Sequence, residues 1–410
     1  TRSAREVTGH RCDPTVTPHR RVMKGDQGDA GGLGEGESGL FGDQSRDDDI
    51  GTVDDITLGD PAEGEVQVQL HAAGMCHSDY HVLTGAPPME LPALPGPPGA
   101  GVVTKVGKGV TSVQEGDHVI FAFIPACGKC PPCMRGYRSL CDRGAILLGG
   151  KAISDGTNRI HAGDTPVSAM NLLGTFSPYA VVHEDSVVKI DDSVPFESAA
   201  LLGCAVPTGF GSATNIAEVK AGEDVIIVGV GGIGMSALQG AVVSGARYVI
   251  AIDPVPWKRE QALKFGATHV YASMAEAIMP VMDLTWGIMA QKTIITVGEM
   301  KGEYIEEAMI LTAKTGTCVV TGMGAMVDVD VKFNLFLFTM LQKTLKGNIF
   351  GGGTTHTETP RLVGLYKQGL LKIDEMVTTT YSLEQINEGY QDMLDGKNIR
   401  GVIKYTEADW

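Results

Sequence analysis

The chain is short of three things. Cysteine is scarce, with eight residues in 410. That is too few for a disulfide scaffold. Four of the eight crowd into the fifteen residues Cys127 to Cys141, which points to metal in a reducing, cytoplasmic compartment rather than to cross-links. Positive charge is in deficit: 33 Lys and Arg face 49 Asp and Glu, a net charge of −16. Nucleic acid is therefore not an expected partner. Long apolar runs are missing as well. None is long enough to span a membrane, and no charged-then-apolar segment resembles a signal peptide. What remains, 43% hydrophobic and 20% charged, is ordinary for a globular protein of two or three domains with a large core.

The most informative stretch is Asp224–Asp253. Val225, Ile226, Ile227 and Val228 read as a buried strand, followed by the turn Gly229-Val230-Gly231-Gly232-Ile233-Gly234. An apolar helix follows from Met235 to Ser244, and a second strand, Tyr248–Ile252, ends on Asp253. A glycine motif alone is weak evidence; strand, turn, helix, strand and acid in order form a dinucleotide-binding unit. Gly229 suits the tight turn, Gly231 lets backbone approach a pyrophosphate, and Gly234 allows close helix packing. The helix N-terminus offers free N–H groups to the phosphates. Asp253 lies 19 residues past Gly234, where a ribose-binding acid is expected, and its charge favours NAD over NADP. Lys258 is either a partner of the adenosine ribose or an exposed helix lysine.

Toward the N-terminus, residues 26–60 hold nine glycines, eleven acids and a single base, Arg46. Such composition cannot bury enough apolar surface to fold alone, so residues 1–50 are expected to be disordered or loosely packed. Strand-like alternation begins with Glu65–Leu70. Cys76-His77-Ser78-Asp79-Tyr80-His81 then packs unusually many reactive side chains into one loop. Taken alone, Cys76 is either a buried structural cysteine or a metal thiolate. Short strands continue through Gly101–Val106 and His118–Phe123, the pattern of a barrel-like β domain.

Cys127, Cys130, Cys133 and Cys141 are the strongest metal signal. Four thiolates on short loops suit tetrahedral zinc and leave no open position, so the site is structural. An iron–sulfur cluster is the rival, but there the fourth cysteine follows three residues and precedes proline. Here it follows seven and precedes Asp142.

These features together resemble the zinc-containing medium-chain alcohol dehydrogenases, from about Gly64 to Tyr405. The likeness rests on Gly74–Asp79, the four-cysteine lobe, Gly203-Cys204, the Gly229–Gly234 turn, Lys346–Gly352 and Asn398–Ile403. Leu172–Tyr179, Trp257–Tyr271 and Gln291–Gly298 look most like the bacterial nitrosoaniline-dependent, nicotinoprotein-type branch. The resemblance implies an α/β chain: a GroES-like β-rich catalytic domain plus a Rossmann doubly wound parallel sheet. Residues 51–205 and 349–410 would form the first, with the zinc lobe at 127–141, and residues 206–348 the second.

The resemblance also assigns roles. Cys76 and Cys204 match two ligands of a catalytic zinc. Ser78 and His81 match a proton relay running through the nicotinamide ribose, and Asp79 matches an acid behind the metal ligands. His77 and Arg400 match pyrophosphate contacts. The implied reaction is hydride transfer between an alcohol, or aldehyde, and NAD. In the version the closer likeness suggests, the cofactor stays in place and electrons pass to an external acceptor. A homodimer or homotetramer is the implied assembly.

One departure stands out. Where the family has Gly-His-Glu, supplying the third zinc ligand, this chain has Gly96-Pro97-Pro98. Proline cannot bind zinc, and open catalytic sites normally keep three protein ligands. The alternative reading is a nucleotide-binding, zinc-stabilised homologue with impaired catalysis. Glutathione-linked formaldehyde oxidation, a related activity, lacks a visible basic site for glutathione carboxylates.

Beyond Asp253 the pattern alternates helix and strand: Arg259–Phe265, Thr293–Val297, Glu303–Ala313, Thr317–Thr321. Asp155–Asn171 reads as a polar loop. Phe333–Leu341, apolar nearly all round, reads as core or subunit interface.

Overall fold

A computed structural model describes residues 19–23, 51–83, 89–324 and 329–410. Two large sheets dominate. The first is six parallel strands in the order His269–Tyr271, Tyr248–Ile252, Asp224–Val228, Ala290–Ile295, Thr312–Val320 and Thr344–Gly347. Its central strand Asp224–Val228 is buried throughout, which explains an unbroken apolar run instead of alternation. The strand order reverses direction at Asp224–Val228, so the C-terminal ends of that strand and of Ala290–Ile295 flank a crevice.

The second sheet is mixed: Val187–Lys189, His118–Phe121, Gly99–Val106, Glu65–Gly74, Arg400–Lys404 and Val377–Tyr381 in order, with Tyr179–His183 also on Glu65–Gly74. The last strand of the chain thus pairs antiparallel with one of the first, Val402 opposite Gly74. Val66, Val68 and Leu70 face a core with Phe121, Phe176 and Ile403. This is the GroES-like part, and the parallel sheet with its helices is the Rossmann part.

A smaller sheet contains Gly51–Leu58, Ile160–Ala162, Thr165–Ala169 and Ala93–Leu94. Two expectations change here. His19–Met23 forms a strand antiparallel to Gly51–Leu58, so pairing satisfies backbone that the composition argument had treated as unpaired. The rest of residues 1–50 lies outside the described residues. Within Asp155–Asn171, the strands Ile160–Ala162 and Thr165–Ala169 form a hairpin where a loop was expected, with Ile160 opposite Val167 and Gly163 at φ +58° in its turn. Its two strands are three and five residues long, too short to show a period.

Glu65 is buried and ties that hairpin to the main sheet. Its carboxylate accepts from Arg159 Nε at 2.7 Å and Nη2 at 3.0 Å, and from the Ala62 N–H at 2.9 Å. Among the described residues, no helix is long and apolar enough to cross a membrane.

Candidate functional site

The four-cysteine lobe is assembled by local turns. Cys130 precedes the short helix Pro131–Met134, whose leading prolines have no N–H to leave unsatisfied. The four Sγ atoms lie within 4.8 Å of one another. A zinc with Zn–S bonds of about 2.3 Å sets tetrahedral edges of about 3.8 Å; Cys130 and Cys141 are 3.9 Å apart. Backbone N–H groups of Asp142 and Cys127 point at Cys130 and Cys141 Sγ, at 3.4 and 3.5 Å. The Asp142 N–H holds the Cys130 thiol down at about 7. The donor set fits zinc, which would be closed to substrate there.

The nucleotide cradle follows from the glycines. Gly229 has φ +83°, open only to a residue without Cβ at little strain. A Cβ at Gly234 would sit 1.9 Å from Gly229 O, so the helix Gly232–Val243 packs directly on the turn. A Cβ at Gly231 would meet nothing within 4 Å. That open face, at the N-cap of a twelve-residue helix with no capping side chain, fits a pyrophosphate. Gly232 has another reason: its Cβ would strike Arg400 Nε at 1.9 Å. Half-buried Ile233 gives the same first turn its backbone carbonyl contact with Gly209.

Asp253 is buried at the neighbouring strand end. Its Oδ2 accepts from the Val230 N–H and its Oδ1 from the Val255 N–H, each at 2.9 Å. The acid therefore also braces the glycine turn, a role that spacing alone did not reveal. Lys258 is half-buried near it; burial lowers its pKa, opposed by the Asp253 charge. That excludes the fully exposed alternative.

Cys76 and Cys204 meet at the junction of the two sheets. Cys76 precedes the helix His77–Leu83, and Cys204 caps Ala205–Gly211. Contact with Cys204 holds the Cys76 thiol well below its ordinary range, and contact with Cys76 pushes the Cys204 thiol well up. Ser78 beside it lowers the Cys76 thiol further. Asp79 is fully buried; its Oδ2 accepts from the Cys76 N–H at 3.2 Å and its Oδ1 has no partner. Burial pushes its carboxyl well above the usual range.

Arg400 joins this side to the nucleotide cradle. Its Nη1 donates to Met75 O at 2.8 Å while its Nε lies beneath Gly232. His77 and His81 both turn to Gly298, at the end of the strand Ala290–Ile295. His81 Nε2 is 3.4 Å from Gly298 O, and His77 Nε2 would be 2.9 Å from a Cβ there. The sequence marks Gly298 only as the end of a stretch of likeness; the fold brings it to these rings. Pro97 and Pro98 line the same pocket as Cys76, Cys204, Met75 and Arg400.

The donor set at Cys76 and Cys204 does not fit a catalytic zinc. Among the described residues, the four-cysteine lobe is the sole group of three or more His, Cys, Asp or Glu ligand atoms placed to hold a metal. Two thiols fall short of the three protein ligands such a site needs.

Fold and site define a dinucleotide-binding dehydrogenase with a zinc lobe. Family models agree. The "Alcohol dehydrogenase GroES-like domain" matches residues 62–192 and the "Zinc-binding dehydrogenase" model matches 232–368. Alcohol dehydrogenase B of Mycobacterium tuberculosis is 58% identical over 87% of this chain and 96% of its own. The NDMA-dependent alcohol dehydrogenase of Amycolatopsis methanolica is 47% identical over 86% and 95%. The crystal structure of benzyl alcohol dehydrogenase from Acinetobacter calcoaceticus superposes with TM-score 0.80 at 29% identity, covering 87% of this chain and 96% of that one. The chain belongs to the zinc-containing medium-chain alcohol dehydrogenase family, as an NAD-dependent enzyme of zinc type.

Proposed function

We propose that this chain oxidises a primary alcohol, or reduces the corresponding aldehyde, in the cleft between residues 51–205 with 349–410 on one side and 206–348 on the other. The observation that carries this reading is Arg400. One guanidinium touches both the Cys76 loop and the cradle turn, so the reactive thiol loop and the nucleotide face one crevice.

NAD, when bound, accepts the hydride from the alcohol carbon. Gly229, Gly231, Gly232, Ile233 and Gly234 bind its pyrophosphate through backbone, and Arg400 and His77 add positive and polar contacts. Asp253 and Lys258 receive the adenosine ribose. Ser78 takes the hydroxyl proton and His81 delivers it toward solvent; the two lie on one face of the helix His77–Leu83, three residues apart. The buried walls at Pro97 and Pro98 exclude water.

The likeness to the NDMA-dependent relative supports a tightly held cofactor reoxidised by an external acceptor. Homo-oligomers would form through Leu335–Met340. Phe333 and Phe338 pack against the core of the parallel sheet, while Leu335, Phe336 and Met340 are 69%, 70% and 63% exposed, so the stretch divides between core and an outward apolar face. The strand Thr344–Gly347, at the edge of the parallel sheet, follows it in the chain.

The test is turnover of a primary alcohol series with NAD and with a nitrosoaniline acceptor, comparing wild type and Ser78→Ala. Loss of a positioned proton acceptor lowers kcat by about 100- to 10,000-fold, with NAD binding retained. Equal kcat values would remove Ser78 from the reaction.

A further inference from the structure

We propose that this protein keeps zinc at one place only, the four-cysteine lobe, and that the Cys76–Cys204 pair does not hold the second zinc its family would place there. The inference concerns the pair at which alcohol is read to meet the cofactor, but it stands on ligand geometry alone. Its basis is the contrast between two cysteine clusters in one chain.

The lobe brings four Sγ atoms together within 4.8 Å. Backbone N–H groups support two of them, so ligands and their hydrogen bonds form one closed unit. The second cluster stops at two. Cys76 and Cys204 line one pocket, but no further candidate joins them in a group of three donors among the described residues. His81 reaches Gly298 O. His77 packs on the same glycine. Asp79 uses Oδ2 on the Cys76 backbone, and no third donor group includes the pair among the described residues. The wall facing the two thiols carries Pro97 and Pro98, whose side chains have no lone pair to give.

These prolines are also fixed in place. Thr175 Oγ1 donates to Pro97 O, and the Gly74 N–H donates to Pro98 O at 3.3 Å. A small shift of the segment cannot turn a proline into a ligand. Two thiols, with no third protein donor grouped with them, fall short of the three protein ligands that an open zinc site keeps.

The experiment is zinc per chain by elemental analysis, on protein grown with zinc and passed through a chelating column under native conditions. The expected result is about one zinc for wild type and about two for Pro97→His, since three protein ligands close a catalytic site. Cys204→Ser provides a check that does not depend on the histidine variant folding. Its zinc content should equal that of wild type.

Two firmly held zincs in wild type, or one zinc lost on Cys204→Ser, would overturn the inference. Neither result bears on the dehydrogenase reading, which is judged separately by NAD-linked turnover. Conversely, absent turnover in both wild type and Pro97→His, with zinc counts of one and two, would reject that reading and leave the zinc assignment standing.

Discussion

Two alanine substitutions, three residues apart, should have different consequences. At Gly234 an added Cβ would lie 1.9 Å from Gly229 O and 2.8 Å from Thr296 Oγ1. A comfortable carbon–oxygen approach is about 3.3 Å, so something must move by more than an ångström. Gly229 O cannot easily yield, because Thr296 Oγ1 donates to it at 2.6 Å. The helix must lift from the turn instead. Overpacking of this kind costs about 1–3 kcal/mol, and a cofactor that relies on the displaced turn should lose affinity by roughly 5- to 150-fold.

At Gly231 the added Cβ meets nothing within 4 Å, and φ of −72° is open to any residue. Gly231→Ala should therefore fold as wild type, within about 0.5 kcal/mol. Its methyl would nevertheless occupy the face reserved for pyrophosphate, and NAD affinity should fall at least about tenfold, a difference of about 1.4 kcal/mol. Thermal unfolding without nucleotide and calorimetric NAD titration separate the two effects. G234A should move both readings and G231A only the second. Unchanged NAD binding in G231A would refute the placement of the pyrophosphate on that face.

Two further outcomes can be checked. Phe336→Asp puts a charge on the exposed side of the first turn of the helix Leu335–Met340 and should halve or quarter the solution mass by light scattering; an unchanged mass, or a monomeric wild type, would rule out that interface. Burial lowers the pKa of His71, His183 and His356. Below the unfolded histidine value of about 6.5 the unfolded chain binds more protons than the folded one. Stability is thus fully present above that pH and is lost as pH falls through the lowered folded values. A melting temperature that stays flat from pH 7 to pH 5 would contradict this.

Much of this protein was decided by residues close together in the chain. The zinc lobe closes within fifteen residues, and the strand, turn, helix and strand of the nucleotide unit are consecutive. Short-range spacing is a direct proxy for geometry in such cases, so ligand number and glycine roles could be read from sequence. Resemblance extended the reading to Cys76, Cys204 and Arg400, which no spacing rule connects. Three things came from the tertiary structure alone. Arg400 contacts Met75, 325 residues away, and blocks a Cβ at Gly232. His77 and His81 both meet Gly298, 217 residues beyond His81 in the chain, because the fold lays the loop after the strand Ala290–Ile295 against them. The apolar run at Phe333–Leu341 is split, with Phe333 and Phe338 against the core and Leu335, Phe336 and Met340 on the surface. In each case the deciding quantity is the direction of a side chain set by packing between distant segments. A linear pattern records which donors exist, but only packing determines which of them meet.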